Sequence, residues 1–285
     1  MSKLVSIILP SYNGELFLKK AIDSCLNQTY NNLELIIVND CSTDSTEQII
    51  MSYSDSRIKY IKNETNQKLP NSLNIGFRHA RGEYLTWTSD DNYYDENAIQ
   101  SMVDAIEAEC VDLVCAPYHT VDDKDKITGS RAVGLSEDVL IDNVVKACFL
   151  YKRKVHETLN GYNPNLFLVE DYDFWIRAAF HGFSFYQLKD YLYYYRFHDK
   201  SLTEKRRGEI SKALCALLIQ HEALFKSSNK TNFLKPEFYK KLTNLAIANQ
   251  ANPAVYFKKA VRMNPFFLFN KITLKFILYK MNLKG

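Results

Sequence analysis

The first half of the chain alternates short apolar runs with amphipathic segments. Val5-Ser-Ile-Ile-Leu9 is a β-rich run closed by Pro10, a residue that cannot donate to a sheet ladder. Residues 15–28 carry Leu16, Phe17, Ile22, Cys25 and Leu26 at spacings that fit one helix face. Leu33-Glu-Leu-Ile-Ile-Val38 is nearly all apolar, as in a strand covered on both faces. Ser42-Thr-Asp-Ser-Thr-Glu47 offers hydroxyl and acidic caps to a helix running to about Ser52. Arg57–Lys62 alternates as a strand, 70–81 reads as a helix and Tyr84–Thr88 as the next strand. A helix from about Glu96 to Glu109 leads to a last apolar run, Val111–Ala116.

Strands and helices in this order predict an α/β fold: a Rossmann-like, mostly parallel sheet with helices on both faces. Ligands of such sheets bind beyond the carboxyl ends of the strands. Ser11-Tyr-Asn13, Asn39-Asp40 and Ser89-Asp-Asp91 therefore fall on one rim. Residues 117–200 are mixed, and from about Arg206 the pattern is helical, broken at Asn252-Pro253 and Asn264-Pro265. This divides the chain into a domain over residues 1–203 and a helical region over 204–285.

The polar clusters suggest chemistry. Thr88-Ser-Asp-Asp-Asn92 puts two carboxylates at a strand end, which suits Mg2+ or Mn2+ with positions left for phosphate oxygens; a capped turn would use the same residues. Asp40 is suited to accept N–H bonds from a base edge or to relay a helix cap. Tyr12 is suited to stack on a base. Val169-Glu-Asp-Tyr-Asp-Phe-Trp175 places three acids before a helix taken to run from Phe174 to Phe180. The helix dipole alone favours acids there; the functional reading is a general base, Asp171. Tyr193-Tyr-Tyr-Arg-Phe-His198 ends a strand in a histidine able to ligate a metal. No Walker loop and no G-x-G-x-x-G is present.

Five segments together resemble the family 2 glycosyltransferases, which have the GT-A fold. They are Val5–Asn13, Val38–Ser45, Ala80–Asp91, Gly161-Tyr162 with Glu170–Arg177, and Tyr194–His198 with Ser201. The resemblance covers about residues 4–203. It implies that Pro10, Ser11, Tyr12 and Asp40 hold the base and ribose of a nucleotide-sugar donor, a UDP-sugar being favoured. Asp90 would face the ribose, and Asp91, with His198, would bind Mn2+ or Mg2+ on the diphosphate. Asp171 would deprotonate an acceptor hydroxyl, giving single displacement with inversion. Asn66-Gln-Lys68 keeps the family's Asn but not its Gly, and Leu73 stands where relatives often carry Arg; Lys68 is the candidate replacement cation. A nucleotidyltransferase would want a Gly-rich basic loop after the first strand, which Ser11-Tyr-Asn-Gly-Glu15 lacks. A non-catalytic nucleotide- or membrane-binding module is the remaining alternative.

Charge separates the two regions. The net charge is +3, but Lys235–Gly285 holds ten Lys/Arg against one acid, Glu237, so about +9 sits on a body of about −6. Phe266–Phe269, Ile272, Leu274, Phe276, Ile277, Leu278 and Tyr279 alternate with Lys271, Lys275, Lys280 and Lys284. Such a helix suits an anionic membrane surface and a glycan or lipid-linked acceptor, although packing on its own domain or an oligomer would use the same face. No nucleic-acid module is recognised. The six cysteines make no C-x-x-C pair and read as buried thiols. With no signal peptide or spanning run expected, the expectation is a cytoplasmic protein, peripheral on the inner face of the membrane.

Overall fold

The computed structural model describes residues 2–282. Strand β1 (Val5–Ser11) does not stop at Pro10 but runs through it, with Pro10 opposite Val38 of β2 (Leu33–Asn39). The neighbour on its other side, β4 (Tyr84–Trp87), pairs only as far as Ile8, whose carbonyl accepts the Thr88 amide. Pro10 has the same orientation as Ile8, two residues on, so its missing N–H falls where β4 has already ended.

Between these strands come α1 (Leu18–Leu26), α2 (Thr46–Met51), β3 (Ile58–Lys62) and α3 (Lys68–His79). There follow β5 (Tyr93–Tyr94), α4 (Ala98–Ala108), β6 (Leu113–Ala116), β7 (Tyr118–Val121), β8 (Ile127–Arg131), β9 (Cys148–Lys152), α5 (Arg153–Leu159), α6 (Glu170–Phe180), β10 (Phe185–Gln187) and β11 (Tyr193–Arg196). One seven-stranded sheet has the order β10-β6-β9-β4-β1-β2-β3. All its neighbours are parallel except where β9 pairs antiparallel with both β4 and β6. The mostly parallel sheet expected from the pattern is thus present, with one reversed strand that the mixed stretch after residue 117 concealed.

Alternation along the central strands fills two apolar layers. Val5, Ile7 and Leu9 face one layer with Ala21 and Ile22 of α1 and Ile99 and Met102 of α4. Ile8, Ile36 and Val38 face the other, with Phe77 of α3 and Phe174 and Trp175 of α6. Because neither face of β1 or β2 meets water, both strands are buried along their whole length. Gly76 on α3 is there for closeness: a Cβ would lie 2.4 Å from Ile8 Cγ2.

A second sheet, β5-β11-β7-β8, stands beside the first. Its key pairing is β5 with β11, Tyr93 opposite Tyr194 with the rings stacked at 4.6 Å. The helices α7 (Leu202–Lys205), α8 (Arg207–Ser227), α9 (Pro236–Ala248), α10 (Ala254–Met263) and α11 (Lys271–Asn282) complete the chain. Leu217, Leu218 and Phe225 of α8 and Phe238 and Leu242 of α9 belong to the same apolar layer as α6. Asp173 of α6 is buried and accepts from Arg177 Nε at 2.7 Å, with His221 Nε2 of α8 at 2.9 Å from its other oxygen. The helical region is thereby fastened to the helix that carries Asp171. Four cysteines are buried as expected, whereas Cys41 is partly exposed and Cys110, in a left-handed turn after α4, is exposed.

Candidate active site

The rim at the carboxyl ends of β1, β2 and β4 is built from short polar turns. The Asp40 amide donates to the Ser11 carbonyl, locking the two strand ends together. The Asp40 carboxylate is buried, and its Oδ1 accepts from Asn63 Nδ2 and from the Gln67 amide, both at 2.8 Å. Both bonds converge on one oxygen, so Oδ2 remains available to an N–H donor. Pro10 and Ser11 are buried beside it, while Tyr12 keeps 53% of its surface exposed. An aromatic ring held this open on a strand end offers a face for a flat ligand.

Asp90 lies under the β1 loop. Its Oδ2 accepts from Ser11 Oγ at 2.6 Å and from the Tyr12 amide at 3.3 Å. Gly14 makes room for it, since a Cβ there would lie 2.2 Å from that oxygen. Burial, and then the neighbouring Asp91 charge, push the Asp90 carboxyl up to about 7.

Asp91 and His198 meet across the two sheets, His198 Nε2 lying 3.0 Å from Asp91 Oδ2. Three contacts hold them. The β5–β11 pairing brings the strand ends together. The Arg196 amide donates to Asn92 Oδ1 at 2.7 Å. The Arg196 side chain, fully buried, donates to the Asp91 carbonyl (3.0 Å), the Asp122 carbonyl (2.7 Å) and Asp125 Oδ1 (2.5 Å). Phe17 packs edge-on against His198 at 5.0 Å and under the Arg196 guanidinium at 4.3 Å. Among the described residues no three His, Cys, Asp or Glu side chains gather to hold an ion by themselves. An oxygen and an imidazole nitrogen 3.0 Å apart fit a divalent ion that takes its other ligands from phosphate and water.

Asp171 lies in the first turn of α6, which starts at Glu170, four residues before the start read from the pattern; the three acids belong to the helix. Leu168, with φ +82°, turns the chain into it. Asp171 Oδ2 accepts from Asn143 Nδ2 at 2.9 Å, and Oδ1 accepts its neighbour Tyr172's amide at 2.7 Å. Burial raises its pKa, while the Asn143 bond pulls the other way. Glu170 beside it is 4% exposed, its Oε2 has no partner, and burial with the Asp171 charge pushes it up to about 8. Tyr195 of β11 lies close enough to both Asp91 and Asp171 that each carboxylate adds to the rise burial gives its phenol.

Asn66 and Lys68 are exposed at the start of α3, where Asn66 Oδ1 accepts the Lys68 amide at 3.0 Å. Lys68 has φ +65°, a left-handed conformation that glycine adopts at less cost. Its Nζ stands 5.6 Å over the Phe167 ring, and the Arg206 guanidinium approaches the same ring at 5.7 Å. Asn74 accepts the Tyr162 amide and donates to the Tyr162 carbonyl, at 2.9 and 2.7 Å. A concavity of about 480 Å³ lies elsewhere, between Gly134–Lys146 and Lys235, and shares with the site only the segment that carries Asn143.

Sequence reasoning missed Asn143 and Arg196. Arg196 stood inside the quoted Tyr194–His198 segment, and a cation within a strand was a usable signal. Asn143 lies in an irregular stretch with no motif around it.

Comparison with known proteins gives concordant results. The glycosyl transferase family 2 model matches residues 6–160. The putative glycosyltransferase EpsE of Bacillus subtilis is 32% identical over 213 residues, covering 72% of this chain and 76% of EpsE. An uncharacterized glycosyltransferase of Rickettsia typhi is 33% identical over 189 residues, 62% of this chain and 58% of that protein. The chain thus spans less than two thirds of the length of that relative, and 31% of one from Rickettsia conorii. In fold it is similar to S. aureus TarS 1-349 in complex with UDP-GlcNAc, with TM-score 0.65 at 18% identity over 96% of this chain and 88% of that one. It is similar as well to the mannosyltransferase PcManGT of Pyrobaculum calidifontis in complex with GDP-Man and Mn2+, with TM-score 0.60 at 18% identity over 97% and 86%. The rim of strand-end acids, the parallel sheet beneath it and the family match over more than half its length agree: the chain belongs to glycosyl transferase family 2 and has the GT-A fold.

Proposed function

We propose that the protein transfers a sugar from a nucleoside diphosphate-sugar, with uridine as the base, to a hydroxyl acceptor with inversion at the anomeric carbon. The observation that carries this reading is that Asp91, paired with His198, and Asp171 both lie near the Tyr195 phenol. A candidate diphosphate anchor and a candidate base thus lie within electrostatic reach of one phenol. A nucleoside diphosphate-sugar donor draws support from TarS and PcManGT, whose structures hold UDP-GlcNAc and GDP-Man, and uridine from TarS alone.

In this mechanism Tyr12 stacks on the base and Asp40 Oδ2 accepts from its edge, while Asp90 faces the ribose. Asp91 and His198 would hold Mn2+ or Mg2+, which when bound supplies positive charge to the leaving diphosphate. Lys68 is suited to add charge on the same side. Asp171 takes the proton of the acceptor hydroxyl, held in position by Asn143. The acceptor oxygen forms its bond to the anomeric carbon from the face opposite the diphosphate, whose bond breaks and whose oxygen keeps the electron pair. One displacement leaves the configuration inverted, with no sugar bound to the enzyme. A glycan or lipid-linked acceptor in polysaccharide assembly, at the inner face of the cytoplasmic membrane, fits this chemistry.

Calorimetric titration with UDP, GDP and dTDP, each with and without Mn2+, tests the reading. Metal-dependent UDP binding that disappears in Asp91→Ala supports it; failure of all three nucleotides to bind overturns it.

A further inference from the structure

The last helix of the structure is apolar on two sides. Toward the protein, Ile272 is buried, Phe276 stacks on Phe257 of α10 at 4.2 Å, and the Tyr279 hydroxyl donates to the Ala251 carbonyl at 2.8 Å. These positions, spaced four and three apart, form one face of α11. Leu274, Ile277 and Leu278 lie on the opposite face and are 60%, 47% and 50% exposed. The preceding turn does the same. It buries Phe267 under the Lys240 ammonium and turns Phe266 outward, 81% exposed, next to Leu268. A core-packed helix satisfies its apolar demand with one stripe; a second, outward stripe has no aqueous rationale.

Lys271 and Lys275 lie along one edge of this outer stripe on α11, at 100° per residue, and Lys258 and Arg262 are exposed on α10. Among the described residues none of these four cations is paired with an acid, in contrast to Lys259, which reaches Glu222 at 2.8 Å. No acid follows Glu237 anywhere in the chain. Exposed aliphatic and phenyl groups interleaved with unpaired cations match a surface that is anionic outside and apolar beneath. A second copy seated face to face would bring like charges together.

We propose that the outer face of α11, with Phe266 and Leu268, docks the enzyme on an anionic phospholipid bilayer. The apolar side chains enter the acyl boundary and Lys271, Lys275, Lys258 and Arg262 lie at the headgroup level. The inference is independent of how the cleft works.

The test is flotation of the full chain with vesicles of phosphatidylcholine alone and of phosphatidylcholine with phosphatidylglycerol, run beside light scattering. Binding to the anionic vesicles only, weakened by salt, is expected. Lys271→Glu/Lys275→Glu should lower partitioning by about tenfold or more, and Leu274→Ser/Leu278→Ser by a similar factor. Calorimetry with UDP on the same samples should be unchanged, which separates loss of docking from misfolding and from failure of the transferase reading. Absence of flotation by the folded wild type overturns the proposal. So does flotation indifferent to both double variants, and so does self-association that those variants abolish while vesicles recruit nothing.

Discussion

His198 Nε2 sits 3.0 Å from Asp91 Oδ2 across 107 positions of sequence. The contact exists because β5, two residues after Asp91, pairs with β11, two residues before His198. Arg196, between them, bonds the Asp91 carbonyl from below. Replacing His198 with Ala should therefore leave the sheet intact but weaken Mn2+-dependent UDP binding by about 10- to 100-fold. Calorimetry across a manganese series reads this directly; an unchanged metal dependence would remove His198 from the site.

Asn143 donates to Asp171, the proposed base, at 2.9 Å. Asp171→Asn keeps the shape and the hydrogen-bonding capacity of the side chain but removes its ability to take a proton. Donor turnover should fall by about 10²- to 10⁴-fold, with UDP affinity within a factor of about two, because the proposed mechanism gives this residue no contact with the nucleotide. Comparable losses in kcat and in UDP affinity would instead mean that the substitution disturbed α6.

Glu170 has the opposite design, a carboxyl buried without a partner for Oε2. Its folded pKa of about 8 lies above the usual carboxylate range, so the folded state holds a proton that the unfolded state releases. Its contribution is fully present below about pH 4 and is lost as pH rises through about 8. Glu170→Gln cannot ionise and should flatten the loss of stability between about pH 5 and pH 9 in denaturant titrations. An identical slope in wild type and variant would show that Glu170 is not the group responsible.

Lys68 holds a backbone conformation that costs a side-chain-bearing residue about 1–2 kcal/mol. Lys68→Gly should raise stability by about 0.5–1 kcal/mol once the extra freedom of glycine in the unfolded chain is subtracted, seen as a higher denaturant midpoint. Lys68→Ala keeps the strain and removes the charge, so comparing UDP affinity in the two variants separates backbone from cation. If both bind UDP as wild type does, Lys68 is not a diphosphate contact.

The positions of the strand-end acids were readable because each follows a run of apolar residues long enough to be a buried strand. Asp40 after Leu33–Val38 and Asp90-Asp91 after Tyr84–Thr88 declared themselves by periodicity, and the parallel order followed from the helices between them. The start of α6 was misplaced for a physical reason: Glu170, Asp171 and Asp173 look like a polar lead-in, yet acids are favoured inside a first helical turn by the unpaired amides there.

Local pattern, then, determined the sheet, the rim and the names of most residues on it, because periodicity and capping are short-range properties of the chain. It determined also that the C-terminal region is basic and apolar at once. The tertiary structure alone decided the pairings: Asp91 with His198, Asp171 with Asn143, Asp173 with His221, and which face of α11 looks outward. Each joins segments 28 or more residues apart, or depends on which side of a helix the core covers. Such contacts are set by packing between elements, and no spacing along one element encodes them.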